Sequence, residues 1–304
     1  MKALVLAAPN CLEYRQIPVP EINSEEVLVR IETASICNGS DPAILCGATW
    51  DAFPAVMGHE AFGEIVRVGE SVTQFHPGDK VVWWFSMGAF AEYAKVNVSE
   101  VAMVKLNGCE SPQELPLLEL LIAAYRAVAA VDVQNKHVLI IGMGPSGLLM
   151  TQLCRVLGAD TVTAWEISEK RKQMATFFGA EDYDGEFDIV IDAYGDDLTQ
   201  DKDTINQAMK RLKRFGTLVL YGHPIHGRTI NSYLFQSRNI QIKAPVSDIH
   251  EIRMIAESAL MLYQAGKINL KKMVSRVIAF EDIVEYIGNT DDEVKVVVEI
   301  KGEA

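Results

Sequence analysis

Cysteine is scarce in this chain and badly placed for structural work. The five cysteines stand at positions 11, 37, 46, 109 and 154, an odd number with no Cys-x-x-Cys spacing. Neither a disulfide framework nor a four-cysteine zinc lobe can be read from them, and free thiols point to a reducing, cytoplasmic compartment. Basic charge is also short: 28 Lys and Arg face 41 Asp and Glu, for a net charge of −13. That balance argues against a nucleic-acid or anionic-membrane partner, because the counterion-release term that drives such binding would be missing. Long apolar runs are absent as well. The strongest, Val138 to Met150, is broken by three glycines and a proline and is too short to span a bilayer. Met1 to Leu6 begins like a strand and lacks the apolar core and small-residue cleavage site of a signal peptide. What is present is a globular composition, 49% hydrophobic and 23% charged over 304 residues, a length that suits two domains.

Up to about residue 105 the apolar residues fall in short β-type runs, such as Val27 to Ile31, Glu64 to Val68 and Lys80 to Trp84, separated by turn residues such as Pro77-Gly78-Asp79. Ser111-Pro112-Gln113-Glu114 then resembles a helix start, with Leu117, Leu121, Ala124 and Val128 at helical spacing. Beyond it strands and helices alternate: strands at 137–141, 161–165, 188–192, 217–221 and 240–244, and helices up to Gly158 and over 169–178, 204–214 and 251–265. That rhythm predicts a doubly wound parallel sheet, so the fold class is α/β with a β-rich domain beside it. The strand-like text at 274–278 and 294–300 is expected to rejoin the first domain. The domains are therefore expected at 1–126 with 267–304, and at 127–266.

The chemistry centres on Gly58-His59-Glu60, with Cys37 upstream and Glu119 downstream. Thiolate, imidazole and carboxylate make the ligand set of a catalytic zinc that keeps one position open. A bare His-Glu dipeptide reads as a surface pair, and it is the rest of the chain that gives it weight. Glu119 sits among leucines early on the connecting helix. It reads either as the solvent face of that helix or as a buried carboxylate that needs a compensating partner such as a metal.

A second site is written in Gly142-Met143-Gly144-Pro145-Ser146-Gly147, which follows a strand and opens a helix. Glu166 lies nineteen positions beyond Gly147, at the end of the next strand. This is the dinucleotide fingerprint in its proper context. The glycines serve the tight turn, close approach to the pyrophosphate and helix packing, while the acid accepts from the adenosine ribose. Glu166 would repel a 2′-phosphate and so favours NAD, whereas Lys170 and Arg171 nearby keep NADP open. A Rossmann-like methyltransferase is the competing reading of the loop alone.

Taken together, the two halves resemble the zinc-containing medium-chain dehydrogenase/reductase family, which includes alcohol, sorbitol and threonine dehydrogenases. Gly58-His59-Glu60 with Gly63, Gly69 and Val72 is similar to its zinc signature, and Cys37 with Gly39-Ser40-Asp41 to its first-ligand motif. Gly78-Asp79-Lys80-Val81 and Ala89 to Tyr93 are further landmarks, and Leu118-Glu119 resembles the glutamate ligand of the polyol branch. The resemblance implies a GroES-like β domain and a Rossmann domain. It implies zinc on Cys37, His59 and Glu119, with Glu60 either a fourth ligand or a neighbour that exchanges with water or substrate. It makes Asp41 the carboxylate that orients the histidine, and Ser40 the hydroxyl that takes the substrate proton. Cys37-Asn38-Gly39-Ser40 carries one residue more than the usual spacing, Leu120 replaces a proline, and the structural zinc lobe after Val82 is missing, so one zinc per subunit is expected. The implied activity is hydride transfer between a secondary alcohol or polyol and NAD, in a homodimer or homotetramer. A zinc-free quinone or enone reductase and a non-catalytic nucleotide-binding protein are the alternatives.

Overall fold

The computed structural model describes residues 1–106, 112–194, 203–222, 229–289 and 293–300. The chain divides into two compact units. The first comprises Met1–Ile122, Ile252–Tyr263 and Asn269–Ala304, and the second Ala123–Glu251 with Gln264–Ile268.

In the first unit the chain runs through β1 (Lys2–Ala8), β2 (Cys11–Gln16), β3 (Glu26–Ser35), the short α1 (Ser40–Leu45), β4 (Ala55–Val56), β5 (Glu60–Val68), β6 (Lys80–Trp84), β7 (Tyr93–Asn97) and β8 (Ala102–Leu106), and then enters α2 (Leu117–Val128). β1 pairs with β2 and β4 in a small sheet. The larger sheet is built around β3, whose ten residues are buried at eight positions. One edge of β3 pairs with β5. The other is shared, with β7 taking Glu26 to Arg30 and a C-terminal strand taking Thr33 to Ser35. A strand covered this thoroughly needs a near-continuous apolar sequence, which Val27-Leu28-Val29 and Ile31 supply. The core against it contains Trp83, Phe90, Met57 and Ile65, all nearly inaccessible.

The second unit contains β9 (His137–Ile141), α3 (Pro145–Val156), β10 (Thr161–Trp165), α4 (Glu169–Phe177), β11 (Phe187–Asp192), α5 (Thr204–Arg211), β12 (Leu212–Leu220), α6 (Ser232–Arg238) and β13 (Gln241–Lys243). The strands form one parallel sheet in the order β10-β9-β11-β12-β13. The order reverses between β9 and β11, the point at which open parallel sheets receive a ligand. Among the described residues no strand follows α4 on the far side of β10. Instead the short connection to β11 lies along that edge, with the Glu181 N–H donating to the Val162 carbonyl at 2.8 Å and the Thr163 hydroxyl to the Glu181 carbonyl at 2.9 Å.

The chain then continues through α7 (Ile249–Gln264), β14 (Val274–Ala279), α8 (Ile283–Tyr286) and β15 (Lys295–Glu299). β15 lies antiparallel to β3, with Val297 opposite Ser35, so the last strand does rejoin the first unit. Two features differ from the sequence reading. The body of α7, Ile252–Tyr263, groups with the first unit rather than with 127–266. There the Arg253 guanidinium donates to the carbonyls of Val98, Ser99 and Val101. The helix expected to reach Arg214 stops at Arg211. Leu212 still fills the apolar position of the helical period and is fully buried, but its backbone is already extended (φ −74°, ψ 142°). β12 starts there and bulges over Lys213 to Gly216 before pairing resumes at Thr217.

Candidate functional site

The first group of functional side chains gathers where β3 ends and β5 begins. Cys37 leaves the sheet two residues after Ser35, and α1 opens at Ser40. The Asp41 carboxylate, fully buried, accepts the Cys37 N–H at 2.8 Å, while the Asp41 N–H donates to the Cys37 carbonyl at 3.1 Å. This closed turn aims the thiol inward, where the Ser40 N–H donates to Cys37 Sγ at 3.5 Å. His59 arrives from the other side, immediately before β5, and is 3% exposed. Its Nδ1 stands 3.5 Å from Asp41 Oδ1. One carboxylate therefore bonds the cysteine backbone with one oxygen and faces the imidazole with the other, where both buried atoms lack a hydrogen-bond partner, despite the extra residue in Cys37-Asn38-Gly39-Ser40.

Among the described residues, Cys37, His59 and Glu60 place one ligating atom each within 4.8 Å of one another. A half-buried thiol that receives an N–H bond, a buried imidazole facing a carboxylate, and a nearby acid are a donor set that fits zinc. The electrostatics agree. Burial alone would lower the basicity of His59, but the Cys37 thiolate and Asp41 outweigh it and hold the imidazole well above its ordinary pKa. The pocket thus attracts positive charge, which a metal ion would supply by displacing the proton.

Glu60 is held differently. It is fully buried, and Lys295 Nζ donates to its two carboxylate oxygens at 2.6 and 2.5 Å and to the Ile36 carbonyl at 3.0 Å. The Ser35 hydroxyl also donates to it. The register explains the meeting: Ser35 lies opposite Glu60 across β3 and β5, and β15 brings Lys295 alongside Ile36. Burial works against the charge on Lys295, yet Glu60 and Cys37 raise its pKa above the ordinary value. Sequence reasoning missed Lys295. The available signal was a lysine directly before Val296-Val297-Val298, in a strand expected to enter a buried sheet.

Glu119 is 2% exposed in the first turn of α2, so it does not form a solvent face. It lies outside the group formed by Cys37, His59 and Glu60. Phe85 packs beside the site, its ring 4.8 Å from that of His59, and is 40% exposed. The Trp50 indole donates to the Ala52 carbonyl, and its ring packs on the core of the first unit. Of the other histidines, His76 stands 4.0 Å from Asp79, and His137 bonds Thr161 and stacks on Tyr183. His223 and His226 lie outside the described residues. Cys154 is buried and its thiol is pushed up to about 12, which makes it chemically inert.

The second group lies in the second unit, between β9 and α3. Gly142 has φ +85°, and a Cβ on Gly147 would fall 1.9 Å from the Gly142 carbonyl oxygen, so the turn closes only with glycine there. A Cβ on Gly144 would meet nothing within 4 Å, so its backbone borders open space at the start of α3, whose first residue is Pro145. This is a cradle shaped for a phosphate at a helix N-terminus. Glu166 closes one side. Its carboxylate accepts the Met143 N–H at 2.7 Å and those of Ile167 and Ser168 at 2.8 and 2.9 Å. The Arg171 N–H donates to the Ser168 hydroxyl that caps α4. Sequence reasoning included Ser146 but missed its partner Tyr221, whose hydroxyl lies 3.1 Å from Ser146 Oγ.

Comparison with known proteins agrees with this arrangement. Residues 23–107 match the alcohol dehydrogenase GroES-like domain. The L-threonine 3-dehydrogenase of Caldanaerobacter subterraneus subsp. tengcongensis is 29% identical over 73% of this chain and 77% of its own. The D-arabinitol dehydrogenase 1 of Uromyces fabae is 26% identical over 94% of this chain and 92% of its own. Among solved structures, a zinc-binding dehydrogenase of Sinorhizobium meliloti bound to NADP shares the fold, with a TM-score of 0.86 at 24% identity over 98% of this chain and 99% of the other.

Proposed function

We propose that this chain is a member of the zinc-containing medium-chain dehydrogenase/reductase family, and that it moves a hydride between a secondary alcohol or polyol and a nicotinamide cofactor. The observation that carries the reading is the pairing of Cys37 and His59 through one buried carboxylate, Asp41, in a chain that also holds a complete dinucleotide cradle. When bound, zinc supplies Lewis acidity toward the alcohol oxygen, and the nicotinamide accepts the hydride.

The protein's own groups do the rest. Cys37 and His59 would be the fixed ligands, and Asp41, facing the imidazole at 3.5 Å, would orient it. Glu119, a buried carboxylate that lies outside the group of Cys37, His59 and Glu60, would be the third ligand. Glu60, already accepting three hydrogen bonds from Lys295 and Ser35, would be the group that exchanges with water or substrate. Ser40 receives the substrate proton at its hydroxyl. Phe85, beside the His59 ring, lines the substrate pocket and excludes water there. In the second unit Glu166 accepts from the adenosine ribose diol. Its charge, fixed by three N–H donors, disfavours a 2′-phosphate and so favours NAD, with Lys170 and Arg171 the cations that NADP would use. The relatives named for threonine and arabinitol, with the sorbitol dehydrogenase of Bacillus subtilis, support a small polar alcohol or vicinal diol as substrate.

Copies associate through the edge of the parallel sheet, where Ile230, Tyr233 and Ile242 are exposed around the three-residue β13, giving a homodimer or homotetramer. No helix of the described residues is long and apolar enough to cross a membrane, and the free thiols suit the cytoplasm.

The test is metal analysis joined to a substrate panel. The purified protein is expected to hold one zinc per chain and to reduce NAD with a polyol, amino alcohol or secondary alcohol, and Cys37→Ser is expected to lose both. NADH binding without stoichiometric zinc, with Cys37→Ser still turning over, would instead identify a zinc-free reductase.

A further inference from the structure

The strand order of the second unit fixes where each half of a dinucleotide must run. In open parallel sheets the ligand lies outside the carboxyl ends of the strands, at the point where the order reverses, here between β9 and β11. Glu166, at the carboxyl end of β10, takes the adenosine side. The pyrophosphate belongs to the first turn of α3. The nicotinamide riboside half is therefore left to run over the carboxyl ends of β11 and β12.

Two side chains meet there that the dinucleotide fingerprint does not require. Tyr221 follows β12 directly, and its N–H donates to the carbonyl of Asp192, the last residue of β11, at 3.0 Å. Its hydroxyl lies 3.1 Å from that of Ser146 in the first turn of α3. One hydrogen bond thus ties the end of β12 to the helix that receives the pyrophosphate, across the reversal point. Both residues are half-buried, so a ligand can reach them. Leu220 and Tyr194 pack on the apolar core of this sheet. Tyr221 stands half-buried just past the end of β12, with its hydroxyl against that of Ser146.

We propose that the Ser146–Tyr221 hydroxyl pair is a positioning device for the nicotinamide riboside half of the cofactor. Ser146 sets the direction of the phenol, and Tyr221 presents it to the riboside. The inference rests on the reading above that this unit binds a dinucleotide. A hydroxyl pair at this place also favours a hydrated, polar riboside over an apolar ligand of similar size.

Tyr221→Phe and Ser146→Ala each remove one hydroxyl and little else. Binding of NADH, followed by its fluorescence, and of ADP, followed by calorimetry, separates the two halves of the ligand without any need for turnover. Each variant is expected to weaken NADH about 3- to 10-fold, the size of one hydrogen bond, and Tyr221→Phe, which lies outside the pyrophosphate turn, to leave ADP within about 2-fold of the parent. The double variant is expected to add little to the weaker single, because the two groups act as one unit. Unchanged NADH affinity in both variants would overturn the proposal. So would an equal loss of ADP affinity in Tyr221→Phe, which would make the pair a brace for the glycine loop. A parent protein that binds neither NADH nor ADP would overturn the dinucleotide reading itself, and this inference with it.

Discussion

Glu60 and Lys295 show what a single residue can demand of a fold. Both are removed from solvent, and their attraction offsets a desolvation cost of several kcal/mol only because every donor of the ammonium is used. Lys295→Met leaves a buried carboxylate with only the Ser35 hydroxyl, and is expected to cost about 3–5 kcal/mol in urea unfolding. Adding Glu60→Gln should restore most of that, and a double variant as unstable as the single would show that the pair matters for packing rather than charge. Asp188 offers a milder case with a defined pH dependence. Burial would raise its pKa, but the His137 N–H, Lys213 and Lys136 together hold the carboxyl below its ordinary value. The unfolded chain thus takes up this proton at a higher pH than the folded one. The stabilisation is complete above the unfolded pKa of about 4 and is lost as pH falls through the lower folded value. Asp188→Asn is expected to cost about 0.5–1 kcal/mol at pH 7, with the gap from the parent closing as unfolding is measured toward pH 3.

At the level of elements, the turn into α3 separates two roles that glycine plays. Gly147→Ala would press a methyl group against the Gly142 carbonyl, so both thermal stability and NADH binding should fall. Gly144→Ala meets only open space and has an ordinary φ of −66°, so the melting temperature should hold while NADH binding drops at least tenfold. Equal losses of both properties in the two variants would remove the case for a phosphate cradle. This turn was fully legible in the sequence, because strand, glycines, helix and acid are local signals with fixed spacing. The pairing of β15 with β3 was legible only as a strand returning to the first unit, since alternation gives an element but no partner. Lys295 was illegible for the same reason: its meaning depends on Glu60, which lies far away in sequence. Where α5 ended was misread because Leu212 satisfies the helical period and the strand core alike. The burial of Glu119 among leucines was readable as one of two alternatives, whereas its distance from the cysteine and histidine depends on how α2 is placed and leaves no trace in composition.

For the molecule as a whole, the acidic surface keeps copies apart unless a specific edge overcomes the repulsion. The short β13 is such an edge, and Ile242→Lys is expected to shift the sedimentation profile toward the monomer without loss of NADH binding by each chain. Unchanged sedimentation would place any interface elsewhere. The position of β15 also governs the order in which the protein can be completed during synthesis. The second unit needs residues only up to Ile268, but β3 is paired along the Thr33 to Ser35 part of its edge only when Val297 to Glu299 have been made. Glu60 therefore waits, without its ammonium partner, until Lys295 has been made. The second unit, with its glycine turn, can therefore close before the buried contact between Glu60 and Lys295 completes the first.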